Sequence, residues 1–209
     1  MAGCSGAKDG PGCRNIVIDW VDSLQVNGVR FYDLYPNHEA EGLALGPKVG
    51  RITSTLNDTV CDLSYQMKDG DATFLAKGTR VYTLAGYDSA KVVSAAGRVY
   101  EARPGGGTTG ADQLPFAAAS VQRVVLLSQI DGKTVMGVIE DSAEVQAFAA
   151  AVLRAPVEDE TDESWNYLLE FQLGDGLRFQ RNFSTETGVL RQGVHLSESA
   201  RQLVINALQ

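Results

Sequence analysis

Turn chemistry, repeated at short intervals, constrains this chain more than any other feature. Asn27-Gly28 sits between apolar alternations, and a type I′ hairpin turn needs positive φ at both central residues, which this pair supplies. Asp69-Gly70, Lys77-Gly78, Ala96-Gly97, Asp131-Gly132, Gly174-Asp175-Gly176 and Thr187-Gly188 punctuate the rest. A chain built this way folds as hairpins and must find something to cover them.

Up to residue 103 the reading is mostly β. Ile16, Ile18 and Trp20 alternate as in a half-buried strand, and Leu24 and Val26 lead into the Asn27-Gly28 turn. Residues 36–46 have loop composition, and 49–56 form a short strand with Ile52 and Leu56 on one face. Arg80, Tyr82 and Leu84 alternate with Val81, Thr83 and Ala85, and 91–94 pairs with 98–102 across Ala96-Gly97. No amphipathic pattern of ten residues occurs before residue 104.

Pro104 opens a stretch with three consecutive glycines, Gly105 to Gly107, which predicts a flexible linker over 104–117. A phosphate-cradling loop would need a feeding strand and a following Gly-Lys-Ser/Thr, and neither is present.

The C-terminal half adds helices. Residues 121–130 form a β-branched and Leu run buried on both faces, and 134–139 returns after Asp131-Gly132. Asp141-Ser142-Ala143-Glu144 has the form of a capping box, and Val145, Phe148, Ala149 and Val152 mark one helical face before Pro156 stops it. Trp165, Tyr167, Leu169, Phe171 and Leu173 alternate, followed by strands over 177–183 and 189–196. Ser197 caps a last helix with Ala200, Leu203, Val204, Ala207 and Leu208 inward. The expected fold is α+β: a tether over 1–13, a mostly-β domain over 14–103, the linker, and a ββα-βββα domain over 118–209 whose helices cover an antiparallel sheet.

Charge narrows the partners. The net charge is −8, and residues 118–209 hold seven basic against thirteen acidic side chains. No basic stripe exists to neutralise phosphates, so nucleic acid is excluded as a partner. No run reaches the ~18 apolar residues a membrane span requires. Any membrane attachment is therefore covalent or peripheral.

Completed catalytic constellations are missing. His38 and His195 fall in different halves, without HExxH or CxxC spacing, and read as incidental histidines. There is no Gly-x-Ser-x-Gly elbow. Asp69 and Asp71 belong to turn formation, and the acidic run over 158–163 reads as a solvated loop. Trp165, Tyr167 and Phe171 read as core packing, and Arg178 and Arg181, on opposite strand faces, as surface. The expectation is a non-enzymatic chain with no catalytic residue, no metal and no cofactor.

The N-terminus supplies an address. Ala2-Gly3-Cys4-Ser5-Gly6 resembles a bacterial lipobox with Met1 at the Leu position, and residues 7–12 suit a tether. Cys4 is then the lipid attachment site, and Cys13 and Cys61 remain as an even pair for a disulfide, or as two unrelated thiols. The basic and apolar segment that should precede a cleavage site is not in the numbered sequence. Two readings follow: the numbering starts inside the signal, or the string is a coincidence in a cytoplasmic protein.

Asp19-Trp20-Val21-Asp22, Lys68-Asp69-Gly70-Asp71-Ala72, Phe74-Leu75, Gly78-Thr79, Val81-Tyr82 and Gly86-Tyr87 together resemble a group of uncharacterised bacterial envelope lipoproteins. Thr109-Gly110-Ala111-Asp112, Asp131-Gly132-Lys133-Thr134, Ala155-Pro156-Val157 and Leu173-Gly174-Asp175-Gly176 extend the likeness over nearly the whole chain from Ile16. Cys61 and the start at Met1 depart from it. The resemblance implies a shared fold and an extracytoplasmic, lipid-anchored location, and assigns no catalytic residue. Two functions remain open: a tethered module binding a small ligand or protein, or a regulator or inhibitor domain docking a protein partner through a β edge.

Overall fold

The computed structural model describes residues 19–34, 42–57, 59–62, 64–103, 107–158 and 164–209. The fold is α+β, in two compact units that divide between Ala102 and Arg103, with Leu34 counted in the second.

In the N-terminal unit, β1 (Ser23–Val26) and β2 (Val29–Asp33) pair across Asn27 and Gly28, whose φ values of 52° and 75° are those of the expected type I′ turn. Asp69 Oδ1 accepts from the Gly28 N–H at 2.7 Å and ties this turn down. There follow β3 (Leu45–Arg51), β4 (Ser54–Thr55), β5 (Asp71–Ala72), β6 (Arg80–Leu84), β7 (Val92–Ala95) and β8 (Arg98–Ala102). They form an eight-stranded sheet in the order β3-β6-β7-β8-β2-β1-β5-β4, antiparallel except for the β4–β5 pair.

The two ends of that order, β3 and β4, are separated in sequence only by Ile52 and Thr53. The Ile52 N–H donates to Thr79 O and the Thr53 N–H to Gly70 O, so one stretch of chain pairs with both edges. The sheet therefore curls round. Leu24, Val26, Phe31, Ile52, Val81 and Tyr100 belong to the core it encloses.

Two expectations change here. The strand over 49–56 is two strands broken at Ile52-Thr53, and β3 begins at Leu45 inside the segment assigned to loop. Gly46 closes that segment, and β3 carries Pro47 and Gly50 beyond it, residues that a strand interior rarely holds. They are tolerated because β3 ends the sheet order and its register shifts twice along β6. Ile16 and Ile18 lie outside the described residues, and Trp20 precedes β1 without belonging to a strand.

In the C-terminal unit the helix α1 (Gly110–Gln113) occupies part of the expected linker, and Ala118–Ser120 forms a 3-10 turn. The expected coil is thus interrupted by α1, and residues 114–117 follow it without regular secondary structure. The Gly110 N–H donates to Ala155 O, and Asp112 Oδ2 accepts from the N–H groups of Thr108 and Thr109. Then come β9 (Val121–Ser128), β10 (Val135–Ile139), α2 (Ser142–Arg154), β11 (Tyr167–Leu173), β12 (Arg178–Phe183), β13 (Val189–Leu190), β14 (Val194–His195) and α3 (Glu198–Asn206). All six strands are antiparallel, in the order β10-β9-β11-β12-β13-β14.

Asp141 caps α2 by accepting from the N–H groups of Ala143 and Glu144, and Val145, Phe148, Ala149 and Val152 are its buried residues. Phe148 stacks on Phe171 of β11 with 6.2 Å between ring centroids, which seats the helix on the sheet.

Candidate functional site

The strand read over 189–196 is a hairpin. β13 and β14 pair at Leu190 and Val194, which leaves Arg191, Gln192 and Gly193 as a three-residue turn. Gln192 and Gly193 both hold left-handed backbone, at φ 78° and 75°. Glycine is required at 193 because a Cβ there would strike Glu158 O, while the Glu158 N–H donates to Gly193 O at 3.0 Å. Gln192 gains no such exemption and carries the strain of a left-handed non-glycine residue. The turn is therefore held in one place by the backbone beside it.

Next to it lies a cavity of about 450 Å3 lined by Arg103, Leu168, Gln180, Arg181, Asn182, Arg191 and Gln192. Leu168 and Asn182 are register partners on β11 and β12, and the Arg191 N–H donates to Asn182 O at 2.9 Å, so strand pairing aligns the lining. Gln180 is fixed by its register partner on β11. Its Nε2 donates to Glu170 Oε2 at 2.7 Å, and buried Glu170 also accepts from Gln172 Nε2 at 2.7 Å. Gln192 Oε1 is buried, with no hydrogen-bond partner among the described residues.

Arg181 corrects the surface reading. It shares a face of β12 with Phe179 and Phe183 and is buried, with Nη1 donating to Gln180 O and Nη2 to Gln113 O. The strand period placed it opposite Arg178, and that part holds. Its face is the packed one. Arg178 is half exposed, with Nη1 4.0 Å from Glu170 Oε1.

A second polar cluster lies in the N-terminal unit. Arg98 Nη1 meets Asp22 Oδ2 at 2.6 Å and Nη2 meets Asp33 Oδ1 at 2.9 Å, while the guanidinium stands 5.7 Å from the Tyr100 ring centroid. Burial raises the Asp22 pKa; Arg98 pulls it down and Asp33 pushes it up. Burial, then the Asp22 carboxylate, holds the Tyr100 hydroxyl well above the ordinary tyrosine range. Perturbed groups of this kind mark active sites in many proteins. Here the ion pairs tie Arg98 of β8 to Asp33 of β2 and to Asp22, the residue before β1.

The remaining sequence candidates separate. Cys4, Cys13 and His38 lie outside the described residues, as do residues 159–163 of the acidic run. Cys61 is disulfide-bonded. His195 sits on β14, its Nε2 buried without a hydrogen-bond partner among the described residues. Asp69 serves the Gly28 turn, and Asp71 Oδ2 accepts from Tyr65 Oη and the Lys68 N–H, both at 2.8 Å. Phe171 is buried, whereas Trp165 and Tyr167 are half-buried. Among the described residues no group of three or more His, Cys, Asp or Glu side chains is placed to hold a metal ion, and no helix is long and apolar enough to cross a membrane.

The cavity is what sequence reasoning missed. Its signal was Gln192-Gly193, a glycine punctuating an apparent strand. No protein-family model, curated protein or solved structure matches this chain.

Proposed function

We propose that this protein is a non-enzymatic, extracytoplasmic binding module, anchored by lipid on Cys4 and bridged between Cys13 and Cys61, whose C-terminal unit takes a small ligand. The cavity beside the Arg191-Gln192-Gly193 turn carries the reading: its volume suits a small molecule, and its polar lining converges from two strands, a strained turn and Arg103. In this ββα-ββββα arrangement the ligand takes the end of the sheet that β12 and the β13–β14 hairpin form. The resemblance to envelope lipoproteins supports the location.

The anchor and the bridge share one test. In the gene expressed with the codons upstream of Met1 in a bacterial host, Cys4 is expected to carry the lipid, and a non-reducing peptide map to join Cys13 to Cys61. Cys4→Ser should move the protein from the membrane to the soluble fraction. A Cys4–Cys61 link, or an unmodified Cys4 in the cytoplasm, refutes the anchor.

One observation favours the docking alternative, a soluble regulator or inhibitor domain. β10 ends its sheet, and Val135 and Met136 on it are exposed, as is Ile130 in the preceding loop. A photo-crosslinker placed at Met136 in living cells separates the two. The binding-module reading expects no discrete protein adduct from that position, and a single strong adduct there, blocked by Val135→Pro, would move the function to the edge.

A further inference from the structure

We infer that the cavity of the C-terminal unit binds a small hydroxylated oxyanion, such as a sugar acid, a hydroxy acid or a sugar phosphate; this rests on reading that unit as a ligand-binding module. Three of the lining residues are arginines and three are amides, and no carboxylate stands among the described lining residues. Guanidinium groups offer forked N–H donors that match carboxylate and phosphate oxygens two at a time. Amides both donate and accept, which suits hydroxyl groups.

The charge background gives this weight. Residues 118–209 hold only seven basic side chains against thirteen acidic ones, yet Arg191 lines this cavity together with Arg103, while Arg181 borders it with its guanidinium turned to Gln180 O and Gln113 O on the packed face of β12. A concave site of reversed sign concentrates small anions from solution. Glu170, the register partner of Gln180 on β11, opposes this in part. Its carboxylate is directed to the Gln172 and Gln180 amides, and Arg178 lies 4.0 Å away.

Gln192 supplies the hydroxyl requirement. A buried carbonyl oxygen without a donor is costly, and here the residue also holds left-handed backbone. A ligand hydroxyl placed beside the anionic group would satisfy it. The lining has one apolar side chain, Leu168, and no aromatic among its described residues, so a flat base or ring has nothing to stack on. The favoured ligand is non-aromatic and polar throughout.

The test follows the backbone amide resonances of the purified protein at low ionic strength, titrated with gluconate, a hexose phosphate, inorganic phosphate and the neutral polyols glucose and sorbitol. Gluconate or the hexose phosphate should shift the Arg191, Gln192 and Asn182 signals saturably, and the stronger of the two identifies the anionic group. Arg191→Gln should weaken that binding by about tenfold or more, with Arg191→Lys recovering part of it. Gln192→Gly, which relieves the backbone, should weaken gluconate several-fold and leave inorganic phosphate unchanged. Polyols shifting these signals where the anions do not would overturn the oxyanion inference and keep the binding module. Silence from every probe up to about 20 mM, a concentration that reveals even weak sites, would overturn both.

Discussion

Phe171→Ala should lower the stability of the C-terminal unit by about 3–5 kcal/mol. Phe171 has no exposed surface, and three other aromatic rings gather round it and its neighbour: Phe116 at 5.0 Å, Phe148 at 6.2 Å, and Phe179, which pairs with it across β11 and β12 and lies 5.6 Å from Phe116. Truncation removes the transfer energy of the ring and leaves a cavity between a sheet and a helix, neither of which can collapse into it freely. Phe171→Leu keeps most of the apolar volume and should cost less than about 2 kcal/mol. Urea unfolding followed by Trp165 fluorescence in a Trp20→Phe background reports on this unit alone. A loss below about 1 kcal/mol for the alanine variant would show that the α2–sheet interface does not hold the unit together.

What could be read from the sequence depended on how local the deciding contact was. Asn27-Gly28 was legible because positive φ suits both residues of that dipeptide, whereas at Ala96-Gly97 only the glycine gave the signal and Ala96 takes its φ of 54° against its own preference. The α2 face was legible because Val145, Phe148, Ala149 and Val152 repeat at helical spacing inside one element. The curl of the N-terminal sheet was hidden, since it needs one stretch to pair with Gly70 on one side and Thr79 on the other. Periodicity records which face a residue takes and is silent about which strand lies beside it.

The site was hidden for two separate reasons. Leu190 and Val194 carry a strand-like spacing whether the chain between them is extended or folded into a hairpin, so Gln192-Gly193 passed as the interior of one strand. Arg181 was assigned to the surface because arginine is seldom buried without partners. One of those partners, Gln113 O, is 68 residues away in sequence. No local pattern could have supplied it.

Arg98→Gln should destabilise the N-terminal unit by about 2–4 kcal/mol near neutral pH, and most of that loss should vanish on acidification. The lower end reflects the 31% exposure of the Arg98 side chain, which lets water screen the pair. Asp22 and Asp33 are less exposed, at 17% and 12%, and the Asp33 N–H donates to Asp22 O, so the two carboxylates are neighbours across β1 and β2. Without the guanidinium they face each other half-desolvated. The sign follows from Asp22, whose folded pKa already lies above the ordinary aspartate value, because burial outweighs the pull of Arg98. A carboxyl group with a raised folded pKa binds its proton more tightly in the folded state, so its contribution falls as pH climbs from the unfolded value through the folded one. Removing Arg98 raises that folded pKa further and extends the window upward. Native and variant proteins should therefore converge as the pH approaches about 4 and diverge toward pH 7, in urea unfolding followed by Trp20 fluorescence in a Trp165→Phe background. Asp22→Asn in the Arg98→Gln background should restore part of the loss at neutral pH, since one of the opposed charges is gone. Arg98→Lys should recover less than the full stability, because a point charge cannot fork to both carboxylates. A deficit that stays constant across the pH range would mean that Arg98 acts through packing on the Tyr100 ring, and the electrostatic account would fail.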